Sequence, residues 1–379
     1  MPMVKNLLLD LAKSAINKMF TDISKPSLIV NEAICKRNIK KMVQKASRNN
    51  VIFRPHFKTH QSSSIGDWFK EEGVRSITVS SVEMATYFAD HGWKDITIAF
   101  PVNAREINDI NLLSDKTSLT LLVDQQASID YLNNNLSNVV DVMIKIDTGY
   151  QRVGIPATHY NNIKKLVHLI NNGIKTKFKG FLAHAGHSYN CKNQAAIKVV
   201  HEQSKTLLLK LKEHFIETHP KLIISVGDTP TCSTMEDFSW ANEIRPGNFV
   251  FYDLSQVEIG SCDVNDISVA LACPVVGVYE LQNKIIIYGG GVHFSKEINN
   301  NAKNYGQVVM FKKGKWETTN TSIIVEKLSQ EHGTIRANKE FIQNIKIGDL
   351  IYVLPIHSCM TANLMKHYIT CDGKILLKL

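Results

Sequence analysis

The sequence predicts an α/β fold: a (β/α)8 barrel of the TIM type followed by a C-terminal all-β domain. Three observations carry this. From residue 32 to about 250, short β-branched runs alternate with longer segments of helical period, the mark of parallel strands joined by crossover helices. Eight such runs can be counted, the number a closed barrel of this kind needs. After residue 265 the rhythm changes to strands and turns with no long helix between them.

In chain order the expected strands are Val51–Phe53, Ser76–Ser80, Asp95–Phe100, Ser118–Val123, Val139–Ile146, Lys177–Ala183, Lys221–Val226 and Glu243–Tyr252. Helical stretches such as VEMATYFADHG and NQAAIKVVHEQSKTLLLKLKEHF separate most of them. An open doubly wound sheet is the competing arrangement, but no GxGxxG follows the first strand. In the C-terminal part, ISVALACPVVGVYEL, NKIIIYGGG, QVVMFKKGKWE, GDLIYVLPIHSC and KHYITCDGKILLKL read as strands, with QNK, KKGK and CDGK as hairpin turns. The expected division is a barrel over 26–262 and a β domain over 263–379, with an amphipathic helix in residues 1–25 packed outside the barrel.

Composition narrows the class of function. The chain has 379 residues, 44% hydrophobic and 21% charged, which suits one large core and a smaller second one. The net charge of +9 comes from 44 basic and 35 acidic residues scattered among asparagines, so it reads as surface composition and argues against nucleic-acid binding. Seven cysteines, odd in number and without a CxxC pair, argue against a disulfide framework and for a reducing cytoplasm. No stretch reaches the ~20 apolar residues of a membrane span, and the N-terminal segment lacks the pattern of a signal peptide.

In a parallel barrel, residues at the carboxyl ends of the strands converge on one face. Lys58, in RPHFKTH, lies at that end of the first strand. A lysine that loses hydration there offers a freer amine to an aldehyde, although for a lone lysine a solvated loop is the ordinary reading. Other strand ends add to it. The fifth strand ends in KIDTGYQRVG, with Asp147 and Arg152; the sixth ends in HAGHSY, with His184, His187 and Tyr189. The seventh ends in SVGDTPT, where Gly227 and the hydroxyls of Ser225, Thr229 and Thr231 surround a tight turn suited to a phosphate. A lysine, a phosphate cradle, an arginine and polar ring partners are together what pyridoxal phosphate requires.

Near the C-terminus, LPIHSCMT sets His357 and Cys359 at i and i+2; in an extended chain they share a face. Imidazole and thiolate are good zinc ligands, and two protein ligands leave positions for substrate and water. A buried cysteine beside a core histidine is the other reading. Glu331 and His332 in LSQEHG form a further candidate, with a surface turn as its alternative.

At these residues the chain resembles the D-serine dehydratase and D-threonine aldolase family of pyridoxal-phosphate enzymes, built on the alanine-racemase-like barrel with a C-terminal β domain. The resemblance runs from about residue 26 to 370 and rests on RPHFKTH, IKIDTGYQRVG, HAGHSY, SVGDTPT, EIRPGNFVFYD, SQEHG and HSC, in the family's order. It implies that Lys58 holds the cofactor covalently and that Arg152, His184 and Tyr189 approach the cofactor. It further implies that Ser225, Gly227, Thr229 and Thr231 bind the phosphate, and that His357 with Cys359 holds zinc, manganese or another divalent ion. Three features depart from the family: Gln61 stands where relatives often carry lysine, Met360 where they carry proline, and YGGGVHFSKE around His293 replaces an Asp-Ala-Gly type of loop.

The activity so implied is β-elimination of water from a D-β-hydroxy amino acid, with metal on the β-hydroxyl, giving a 2-oxo acid and ammonia. Aldol cleavage to glycine and an aldehyde is the alternative; the aldolase branch tends to carry aspartate where Cys359 stands. Racemisation, a less favoured alternative, needs a second base on the opposite face to which no residue is assigned, and non-catalytic pyridoxal-phosphate proteins of this kind resemble the barrel alone, without a β domain or metal pair. A homodimer is the expected assembly.

Overall fold

The computed structural model describes residues 20, 22–299, 302–312, 314–318 and 323–379. The helix expected at the N-terminus falls almost wholly outside the described residues. Among the described residues two compact units emerge: one of residues 39–249 with 258–261, the other of the described residues up to 38, of 250–257 and of those described within 262–378.

The first unit is a parallel barrel. Its strands are Ile52–Phe53, Ser76–Val79, Asp95–Pro101, Ser118–Val123, Val140–Asp147, Thr176–Ala183, Ile223–Val226 and Glu243–Ile244. They pair in sequence from Ser76–Val79 round to Glu243–Ile244, which pairs with Ile52–Phe53. The helices cover this sheet with one apolar stripe each. Tyr160–Asn172 buries Ile163, Leu166, Val167 and Ile170, the 3-4 spacing of a single face. The last strand corrects the expectation: the run 243–252 contributes two residues of ladder, not ten. Pro246 has no N–H to give, and Asn248–Val250 coils into a 3₁₀ turn.

Closure between the first and second strands is made by a single bridge, His56 with Thr78. Phe57 N–H donates to Thr78 O (2.8 Å) and Thr78 N–H to Pro55 O (2.9 Å). A buried arginine braces this seam. Arg54, 2% exposed, donates from Nε to Glu243 (2.9 Å) and from both Nη atoms to Asp95 (2.7 and 2.9 Å). Ser76 Oγ adds a bond to Asp95 (2.6 Å). Burial raises the Asp95 pKa, but the Arg54 bonds outweigh it and hold the carboxyl below its usual range. One guanidinium thus ties the first, third and eighth strands together.

The second unit is a closed antiparallel barrel. Val269–Tyr279 pairs with both Lys284–Tyr288 and Leu350–Pro355, and His332–Arg336, Ile324–Leu328 and Gly306–Lys312 complete the circuit. Ser27–Val30 joins this sheet, antiparallel to Val269–Ala272 and parallel to Tyr368–Thr370. No helix among the described residues is long and apolar enough to cross a membrane.

Removing Arg54 would leave Glu243, 1% exposed, as a buried charge without its partner. We expect Arg54→Ala to lose about 3–5 kcal/mol of stability in urea unfolding. A loss below about 1 kcal/mol would mean that the seam does not depend on this arginine.

Candidate active site

The barrel interior is layered. Leu122, Met143 and Leu182 pack with Ala99 and Ile223 into an apolar floor. Strand period places Lys145 two residues beyond Met143, His184 beyond Leu182 and Ser225 beyond Ile223, all on the carboxyl side of that floor. Polar side chains therefore begin where the floor ends.

Lys58 sits at this end, exposed and directly after the seam. The expected loss of hydration falls on its neighbours instead. His56, half-buried, is held well below the usual histidine range by burial and by the positive charges of Lys58 and Arg245. His184 is pushed down to about 3 by burial, with Lys58, Lys145 and Arg245 adding to the effect against the bond to Gly227. That bond runs from His184 Nδ1–H to Gly227 O at 2.7 Å, so Nε2 carries the lone pair. Lys145, 5% exposed, donates to Ile146 O at 3.0 Å; burial and the nearby Arg245 and Arg152 bring it down to about 7.

Arg245 is a buried cation of the same barrel end that the strand-end reading passed over. It is fully enclosed, donating from Nε to Ser225 Oγ and from Nη2 to Ala183 O, both at 2.5 Å, and burial lowers its pKa to about 10. Its signal in the sequence is an arginine inside the otherwise apolar EIRPGNFVF. Arg152 is exposed and lies over the Tyr150 ring at 4.9 Å. Gly186 lets that ring approach, because a Cβ there would meet it at 2.4 Å.

The 225–231 turn divides its donors in two. Ser225 accepts from Arg245, and Thr231 spends both its N–H and its hydroxyl on Asp228 (2.8 Å each), so these two hold the loop itself. Ser188 Oγ also donates to Asp228 (2.7 Å). Thr229 Oγ1 is different: it is buried without a hydrogen-bond partner. Tyr189 OH accepts from Thr229 N–H (3.0 Å), which places this phenol at the 225–231 turn. Gly227 is required by close approach, since a Cβ there would lie 2.6 Å from Arg245 N.

In the β unit, His357 and Cys359 come together by a route the sequence reading did not foresee. The strand ends at Pro355, and Ser358–Leu364 is helical, so the pair does not share a strand face. His357 occupies the N-cap and Cys359 the first turn. Asp253, buried, holds that helix start by accepting from Ser358 N–H (2.9 Å) and Ser358 Oγ (3.2 Å). Burial disfavours the imidazolium, but a side-chain hydrogen bond with Cys359, and the charges of Cys359, Asp253 and Glu297, carry His357 up to about 9. Glu297 Oε1 lies 3.8 Å from His357 Nδ1. Among the described residues no group of three His, Cys, Asp or Glu is set to hold a metal. His293 faces Glu331 at 3.7 Å, whereas His332 opens a strand opposite Tyr288 and is exposed.

Comparison with known proteins agrees with this architecture. Residues 30–255 match the family described as alanine racemase, N-terminal domain, and residues 268–371 the putative serine dehydratase domain. A D-serine dehydratase from Dictyostelium discoideum is 29% identical over 95% of this chain and 97% of its own. The solved D-threo-3-hydroxyaspartate dehydratase from Delftia sp. HT23 superimposes with a TM-score of 0.88 at 24% identity, covering 94% of this chain and 98% of that one. D-Threonine aldolase from Filomicrobium marinum has the same fold, with a TM-score of 0.81 at 19% identity over 94% of this chain and 95% of its own.

The loop that carries Lys58 is backed by His60, which is buried against Phe57, Phe69 and Phe88. Burial lowers its pKa to about 3, against 6.5 in the unfolded chain. Keeping it neutral contributes stability that is present above 6.5 and lost as pH falls toward about 3, because the unfolded chain then binds the proton first. We expect His60→Phe to flatten the acid side of the stability profile, by up to about 1.4 kcal/mol per pH unit. An unchanged profile in urea melts at several pH values would contradict this.

Proposed function

The chain belongs to the alanine racemase N-terminal domain family, and from that premise we propose that it is a lyase dependent on pyridoxal phosphate and a divalent metal. Its reaction is removal of water from a D-configured β-hydroxy amino acid, in the manner of the D-serine dehydratases it resembles. The observation that carries this reading is the crowd of cationic groups at the barrel mouth. Burial depresses both Lys145 and Arg245, the positive charges of Arg245 and Arg152 lower Lys145 further, and burial with nearby positive charge keeps His56 and His184 neutral. Such a site favours an anionic occupant, and a phosphorylated aldehyde beside an amino acid's carboxylate supplies the missing charge.

The residues present fit pyridoxal phosphate. Lys58 would hold it, and the 225–231 turn would take its phosphate with Gly227, Thr229 and Tyr189. Thr229 Oγ1, buried and without a partner, is a donor waiting for an acceptor. Arg152 and His184 would approach the ring. When bound, the cofactor supplies an electron sink for the charge left at Cα. Lys58 would then take the α-proton as base, a reading supported by its position beyond the end of the strand and not in the strand interior.

The donor set at His357 and Cys359 fits a divalent ion. An imidazole and a thiol close enough to share a proton offer the nitrogen and sulfur that zinc prefers, and a metal would take that proton's place. The ion would supply Lewis acidity to the β-hydroxyl of the substrate. Asp253 orients the pair through Ser358.

We further propose that the chain forms a homodimer in a reducing cytoplasm. The helix Ser358–Leu364 leaves Met360 and Leu364 exposed, and Val292 and Ile298 are exposed on the neighbouring segment, whose Phe294 O accepts from Thr361 (3.0 Å). An apolar patch of this kind supports a homodimer. All seven cysteines are free, as a reducing cytoplasm would keep them.

Product analysis on D-serine, D-threonine and D-threo-3-hydroxyaspartate tests the reading. We expect ammonia with a 2-oxo acid, lost after chelation while the visible absorbance of the bound cofactor persists. Glycine with an aldehyde would mean aldol cleavage instead. Turnover that survives chelation would remove the role given to His357 and Cys359.

A further inference from the structure

We infer that Lys45, a residue outside the mouth, is a positioning residue for the phosphate-binding turn. This deepens the functional reading above and rests on it. Lys45 lies on the helix Glu32–Arg48 and is 6% exposed, an unusual burial for an ammonium. Its Nζ donates to three backbone carbonyls, Cys232 O (2.9 Å), Ser233 O (3.1 Å) and Met235 O (2.7 Å). Glu236 Oε1 lies 3.1 Å from it. Three carbonyls and one carboxylate oxygen offer four acceptors to its three donors, so the ammonium is buried without loss of hydrogen bonding.

Those carbonyls form the C-terminal end of the helix Thr229–Thr234, whose first residue, Thr229, is one of the proposed phosphate ligands. Six residues are too few to hold a helix by themselves. Asp228 caps its start and Lys45 its end, where a positive charge also meets the negative pole of the helix. The same anchor extends further: Asn49 accepts from Phe238 N–H (2.7 Å) and donates to Glu236 O (2.9 Å).

The consequence is geometric. The helix that carries Lys45 is followed at once by Ile52–Phe53 and then by Lys58. One element therefore sets both the height of the amine and the position of the turn bearing Thr229. Without the clamp, the helix end loses its cap and the unpartnered Thr229 hydroxyl is free to drift from the place where a phosphate would meet it. Catalysis at the aldehyde end does not require Lys45; grip on the phosphate end does.

Pyridoxal phosphate and pyridoxal, which lacks the phosphate, separate these effects. Absorbance titrations of both compounds are made with wild type and Lys45→Met, with circular dichroism and melting as the check on folding. Should Lys45→Met not accumulate as folded protein, Lys45→Gln serves, since it keeps donors but not the charge. We expect the variant to bind pyridoxal phosphate about tenfold or more weakly while its affinity for pyridoxal is unchanged. Equal weakening for both compounds, or for neither, would overturn the inference. A wild type that takes up neither compound would overturn the functional reading and this inference with it, a result that cannot be confused with the other two.

Discussion

The barrel's one weak seam is the feature on which the rest of the architecture depends. Seven of the eight strand boundaries are closed by parallel ladders; the eighth, between Ile52–Phe53 and Ser76–Val79, is closed by the single bridge at His56 and by the buried Arg54 with Glu243 and Asp95. A two-residue strand cannot reach across the mouth as a long one would. The chain leaves the ladder early, and the segment Arg54–Pro55–His56–Phe57 lays Lys58 at the carboxyl end of the barrel. Phe57 and His60, packed in their nest of aromatic rings, hold that excursion in place. The weakest point of the sheet and the placement of Lys58 are therefore consequences of one local geometry.

Electrostatics then gives the site its character. Above an apolar floor, Lys145 and Arg245 are enclosed, with Lys58 and Arg152 at the exposed rim. Two lysines approach the mouth and they differ in kind. Lys145 is the one whose amine is unprotonated in part near neutrality, yet it lies within its strand and bonds to Ile146 O. Lys58 lacks that enclosure but stands free of the strand. In this account position selects the lysine, while the depressed Lys145 contributes the positive field that an anionic occupant relieves.

Much of this was legible in the sequence, and the exceptions have physical causes. Short runs such as Ser118–Val123 announced themselves because a strand buried on both faces is almost uninterruptedly apolar. Lys58 and the turn at Gly227 were visible because strand ends in a barrel share a face. The Glu243 run was overread because its apolar residues continue past Pro246 into a turn that is buried for other reasons. His357 and Cys359 were paired for the wrong reason: spacing suggested a strand face, and a helix cap brought them together. Arg245 and Lys45 were missed because their partners are backbone carbonyls and a serine remote in sequence, which no local pattern encodes.

The direct test is to trap the link between cofactor and protein. Borohydride reduction of the protein loaded with pyridoxal phosphate, followed by peptide mapping, reports which amine was joined to it. The account predicts the adduct on the peptide containing Lys58. An adduct on Lys145 would show that a lowered pKa, and not placement at the seam, chooses the lysine, and would contradict it.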